Sequence, residues 1–196
     1  SLINCILEWS SSPYIWSNNS LLKFFPMKFW MALLLCSVTA VVAAQETITI
    51  KRSTYSIAVD KSMRIDTAGT SMADFIAFFP LQSETDKFGE NLNVVMEPTN
   101  GVDVTLEEYV RMSLEQLKQY FGDIAIVENK TVSTTKGQPY HKLVYTASMN
   151  GFLLQFEQRY ISTADYTYVL TFTAEQSQFN AYKEKAGKIL GSFKLH

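Results

Sequence analysis

Apolar and polar residues alternate with a period of two along much of the second half of the chain. Tyr140 to Met149 and Phe152 to Ile161 flank Asn150-Gly151. That dipeptide predicts a two-residue type I′ turn, because both central positions need positive φ. So short a turn sets the register, with Met149 opposite Phe152 and Tyr145 opposite Phe156. One face of the hairpin then carries Leu143, Tyr145, Ala147 and Met149 beside Phe152, Leu154 and Phe156. The other carries Lys142, Thr146 and Ser148 beside Gln155, Glu157 and Arg159. The first reads as core and the second as the wetter side of an antiparallel sheet. Ile124 to Val132 predicts a strand before the hairpin. Tyr166 to Thr173 predicts one after it, with Tyr168, Leu170 and Phe172 inward.

The first half has shorter runs and is more broken. Thr47 to Arg52 and Tyr55 to Val59 alternate, the latter with Tyr55, Ile57 and Val59 on one face. Asp66 to Thr70 reads as a turn. Phe75 to Leu81 is an apolar run closed by Pro80 and polar residues. It is read as a strand covered on both faces; left uncovered, it would offer Phe75 or Phe78 to a partner. Asn91 to Glu97 is a further strand, stopped by Pro98 and Asn100-Gly101. Thr105-Leu106-Glu107-Glu108 has the form of a capping box. After it Leu106, Tyr109, Val110, Leu114, Leu117 and Phe121 recur at helical spacing up to Gly122. A last helix, about Glu175 to Ser192, would bury Phe179, Tyr182, Ala186, Ile189, Leu190 and Phe193. Strands, helix, meander, helix is an α+β order: an antiparallel β-sheet with helices packed on it.

Three segments resemble the PsbP-like family, an α/β/α sandwich shared by the photosystem PsbP subunit, the Ran-binding Mog protein and bacterial DcrB-type envelope proteins. They are Tyr55-Ser56-Ile57-Ala58-Val59, Phe88-Gly89-Glu90-Asn91-Leu92-Asn93-Val94, and the ending from Tyr166 to Thr173 with Tyr182 and Ile189-Leu190-Gly191-Ser192-Phe193. Asp60-Lys61-Ser62-Met63 stands where the family carries Pro-x-x-Trp. The resemblance spans most of residues 46–195. It implies a PsbP-like α/β/α sandwich and a binding or assembly role rather than catalysis.

Ahead of this domain lies Met27-Lys28, then an apolar run from Phe29 to Val42, then small residues at Ala43-Ala44 before Gln45. That is the form of a secretory signal peptide, and the run is short for a bilayer-spanning helix. The organisation read from it is an upstream, non-native extension over 1–26, a signal peptide over 27–44 and one domain over 45–196. Cys36 follows Leu33-Leu34-Leu35 rather than a small residue and falls mid-run, so it reads as an apolar signal-peptide residue, not a lipid-bearing one. Cys5 and Cys36 both precede the cleavage point, so the mature domain would have no thiol and no disulfide. Removing Lys23, Lys28 and Glu8 leaves 15 basic and 18 acidic residues. Dispersed, mildly acidic charge does not suit a phosphate backbone, so no nucleic acid is expected.

Candidate chemistry is sparse. Gly69-Thr70-Ser71-Met72-Ala73 is one residue from a G-x-S-x-G elbow, but such an elbow needs a histidine base, and only His141 and His196 exist. Ser71 is read as a turn serine and His141 as a strand-end residue beside Tyr160. Glu84/Asp86 reads as solvated loop charge and Glu107/Glu108 as a helix first turn. Asn129-Lys130-Thr131 matches a glycosylation sequon. No catalytic, cofactor-binding or metal residue is assigned and no cofactor is expected. The expected function is that of an exported, non-catalytic binding or assembly factor of a bacterial envelope, periplasmic or extracellular. It would act through contacts with an envelope protein, and meet the membrane only through that partner or an uncleaved signal segment. A carrier of a small apolar or lipid-like ligand is the alternative, suggested by the aromatic interior. A hydrolase with unrecognised carboxylates is a minor one.

Overall fold

A computed structural model describes residues 46–67, 73–101, 104–134 and 138–196. The expected extension, signal peptide, both cysteines and Ser71 lie outside the described residues. In chain order the elements are β1 (Thr47–Lys51), β2 (Tyr55–Asp60), β3 (Arg64–Asp66), β4 (Phe75–Phe78), β5 (Asn91–Pro98), α1 (Leu106–Phe121), β6 (Ile124–Val132), β7 (Tyr140–Met149), β8 (Phe152–Ser162), β9 (Tyr166–Glu175), α2 (Phe179–Gly191) and β10 (Lys194–Leu195).

Seven strands form one antiparallel sheet in the order β3-β4-β5-β9-β8-β7-β6, and β1-β2-β10 form a second, three-stranded sheet. The hairpin pairs as its turn demands: Met149 faces Phe152 and Tyr145 faces Phe156, with Asn150 and Gly151 at φ 52° and 84°. β5 and β9 close the large sheet between the two halves of the chain, pairing Asn91 with Thr173 through Pro98 with Tyr166.

Both faces of the large sheet are covered at its centre. On one, α1 lays Val110, Ser113 and Leu117 over Leu143, Tyr145, Phe156 and Val169. Thr105 caps this helix reciprocally. Its hydroxyl accepts from the Glu108 N–H at 3.2 Å, and its own N–H donates to the Glu108 carboxylate at 3.3 Å. On the other face, α2 and the small sheet cover Tyr168, Leu170 and Phe172 with Ile57, Val59, Phe179, Tyr182 and Ile189. The result is an α/β/α sandwich. Phe75 and Ala77 belong to the second layer and Ile76 to the first, so the β4 run is a strand covered on both faces. Phe75 is inside, and Phe78 lies 4.0 Å beneath the Arg64 guanidinium.

Boundaries differ from the sequence reading in several places, and the strand expected to reach Leu81 ends at Phe78, with Leu81 exposed beyond it. The last helix begins at Phe179, not Glu175, because Ala174 and Glu175 remain paired to Gln155 and Leu154 of the long strand β8. Asp66 belongs to a short strand, paired with Ile76, rather than to a turn. Phe193 lies beyond the helix and stacks on Tyr55 with centroids 5.1 Å apart. Beside it the Ser192 hydroxyl accepts from the Ala58 N–H at 2.9 Å and donates to the Ile189 carbonyl at 2.6 Å. Those two residues tie the C-terminus to β2, which is the physical role of the Ser-Phe ending.

Candidate binding surface

The hairpin register places Lys142 opposite Arg159 and Val144 opposite Glu157. On this face β9 contributes Leu170 and Phe172 to the core. One strand further out the same face turns ionic. Arg159 gives both Nε and Nη2 to one oxygen of Glu157, each at 2.9 Å. The Lys142 Nζ lies 3.5 Å from the other Glu157 oxygen and 2.9 Å from Glu128. Glu128 also receives Lys130 at 2.6 Å. These two lysines hold the Glu128 carboxyl below the usual carboxylate range through their hydrogen bonds.

The inner part of this ladder is not wet. The side chains of Lys142, Glu157 and Arg159 are 15 %, 4 % and 13 % exposed. The expectation of a wetter face is therefore corrected at Glu157 and at Thr146, which are buried, as is Val144 between Lys142 and Thr146 on the same face. An ion pair with satisfied partners can sit at such a depth where an isolated charge cannot.

The C-terminal helix passes beside the ladder and presents Asn180, Lys183, Glu184 and Gly187 to it, an i, i+3, i+4, i+7 stripe. Between helix and ladder runs an open groove of about 390 Å³. Gly187 helps to keep it open: a Cβ there would meet only Arg159 Nη2, 4.0 Å away. Glu184 is paired with Lys188 at 2.8 Å, and Lys185 with Asp60 at 2.9 Å. Lys183 is exposed and has no partner among the described residues.

A buried polar layer lies on the opposite face, under α1. The Tyr160 hydroxyl meets Ser113 at 3.0 Å and donates to Gln158 at 2.5 Å. Tyr109 donates to Glu97 at 2.6 Å. Burial raises the pKa of both tyrosines, so they stay neutral donors at any ordinary pH. The layer orients α1 on the sheet. The sequence reading named only the apolar members of the helix stripe and passed over Ser113, although three residues after Val110 and four before Leu117 it shares their face.

The structure engages most sequence candidates in local contacts and brings the Glu107 charge near His141. His141 stands beside Tyr160, with centroids 6.5 Å apart. Its ring nitrogens are bonded to Asn129 at 2.6 Å and Thr131 at 3.2 Å, the two outer residues of the sequon. Burial lowers its pKa, and the Glu107 carboxylate opposes that shift. Glu108 is engaged in the cap, and Asp86 accepts from the Gln82 N–H at 3.0 Å in its own loop. Among the described residues no group of three or more His, Cys, Asp or Glu could hold a metal, and no helix is long and apolar enough to cross a membrane. Interior rings fill space against one another: Tyr145 stacks on Phe156 at 4.7 Å and Phe172 lies 5.1 Å from Phe179.

No protein-family model and no curated protein matches the sequence. Solved structures do. Cyanobacterial PsbP (CyanoP) from Synechocystis sp. PCC 6803 superposes with a TM-score of 0.58 at 12% identity, over 80% of this chain and 96% of that one. The fold is PsbP-like. The same PsbP-like architecture is found in LpqN of Mycobacterium tuberculosis, involved in cell envelope biogenesis, with a TM-score of 0.58 at 12% identity over 76% of this chain and 90% of that one. PA94 of Pseudomonas aeruginosa, a protein of unknown function and putative regulator, matches with a TM-score of 0.53 at 12% identity over 74% and 93%. At such identity the likeness is one of fold and assigns no occupant to the groove.

Proposed function

We propose that this chain is an exported, non-catalytic binding or assembly factor of a bacterial cell envelope, acting through protein–protein contacts. The observation that carries the proposal is the near-complete coverage of LpqN, a protein of cell envelope biogenesis, by the same sandwich. The chain's own residues agree with it. His141 is hydrogen-bonded to an amide and a hydroxyl at the edge of the sheet, and Glu108 serves a helix cap. The signal-like segment from Met27 to Ala44 supports export to the periplasm or beyond.

Two measurements test this. Expressed with its own leader, the protein is expected to be cut after Ala44, and intact mass reads the new N-terminus at Gln45. A product that retains Met27, or that carries lipid on Cys36, would overturn the export reading. Ser71→Ala and His141→Ala are expected to fold and to recover the same envelope protein as wild type in a cross-linked pull-down from native membranes. Turnover of an ester, peptide or phosphoester by wild type that vanished in either folded variant would make the protein an enzyme.

A further inference from the structure

The groove between the C-terminal helix and the hairpin concentrates positive charge on an acidic molecule. Lys142, Arg159 and Lys183 line it against Glu157 and Glu184. That is an excess of one positive charge, equal to the unpaired Lys183, on a chain of formal net charge −2. We propose that this groove binds the carboxylate side chains of an extended acidic segment of a partner protein. The inference rests on the protein-binding role proposed above and gives that role a site.

Three features favour such an occupant. The floor is already ordered: Glu157 pins Lys142 and Arg159, so an incoming anion does not have to immobilise two long side chains. Free donors remain. Lys183 has no partner among the described residues, and Arg159, whose guanidinium also lies 5.0 Å from the Tyr140 ring centroid, gives only Nε and Nη2 to Glu157. The space is also open: about 390 Å³ lies along the helix and the ladder and faces the solvent, so side chains of an extended segment can enter it without burial of a backbone. The two glutamates in the lining select against a dense run of phosphates. Carboxylates spaced along a peptide can face the lysines and avoid Glu184, which Lys188 already neutralises.

The test uses a fluorescein-labelled peptide of alternating Asp and Ser, its Asn-for-Asp twin, and inorganic phosphate, each titrated against the exported protein. The Asp peptide is expected to bind at least about tenfold more tightly than the twin, and more weakly as salt is raised. Lys183→Glu removes the unpaired cation from an exposed position and is expected to lower that affinity about tenfold with an unchanged circular dichroism spectrum. Gly187→Leu, which fills the groove, is expected to do the same. Equal binding of the twin, or wild-type affinity in Lys183→Glu, would sink the proposal. Phosphate binding more tightly than the peptide would replace the peptide by a free anion and overturn it as well. A wild type that binds the peptide yet recovers no envelope protein would remove the function proposed above and leave the groove. The converse would remove the groove alone.

Discussion

Glu90 shows how one carboxyl can work against the fold that holds it. It is 2 % exposed, and burial raises its pKa above the ordinary 4.5, with Asp86 and Glu175 adding to the rise and two backbone N–H groups opposing it. The folded state therefore keeps this proton to a higher pH than the unfolded chain does. Its contribution is complete below the ordinary glutamate value and is lost as pH rises through the folded value. Glu90→Gln is expected to be more stable than wild type in urea at pH 7, with the difference shrinking towards pH 4. A less stable variant at pH 7 would mean that the charged form is the favoured one. Phe156 and Glu157 are neighbours in sequence on opposite faces, and both are inside. Phe156→Ala should cost about 3–5 kcal/mol, because it empties a site stacked on Tyr145. Glu157→Ala should cost about 2–3 kcal/mol, because it strips the charged partner from half-buried Arg159 while Lys142 keeps Glu128. Denaturant titration separates the two. A near-zero cost at Glu157 would mean that the ladder is solvated.

At the scale of elements, local chemistry explains where segments start and stop. The first helix begins at Thr105 because a reciprocal cap satisfies two of its free N–H groups, and it ends where Gly122 takes φ 74°. Thr105→Ala should lower stability by about 1 kcal/mol with little loss of helix content, read by thermal melting followed at 222 nm. Elements whose boundaries depend on a neighbour were harder to read. β9 runs on to Glu175 only because β8 offers it a partner, and β3 is a strand only because Ile76 lies opposite Asp66. Pairing with a distant segment overrides local propensity at such ends.

For the whole molecule the weak seam is the small sheet. Its strand β2 is held to the helix end by the Ser192 hydroxyl and the Phe193 ring, and by the Asp60–Lys185 ion pair at 2.9 Å. A chain ending at Gly191 should lose hydrogen-exchange protection across β1 and β2 first, while the β7–β8 amides stay protected. Uniform loss of protection would show instead that the two sheets unfold as one unit. The same layering sets out the surface. One helix seals one face of the large sheet. The other covers only part of the second face and leaves the ionic ladder beside a groove.

What the sequence determined by itself was whatever depends on near neighbours in the chain. The Asn150-Gly151 turn dictates the hairpin register, Thr105 and Glu108 dictate the helix start, and alternation assigns Tyr145, Phe156 and Leu154 to the core. From the order of elements and the spacing of a few packing residues, the PsbP-like sandwich was legible too. The meaning of the second face was not. Alternation marks Lys142, Glu157 and Arg159 as polar, and polar residues are usually wet. Their depth depends on a helix that begins twenty residues after Arg159 and comes to lie beside them. Which charges pair, which lysine is left free and where a glycine leaves space are set by through-space distances between segments far apart in the chain. Only the packed tertiary structure sets those distances.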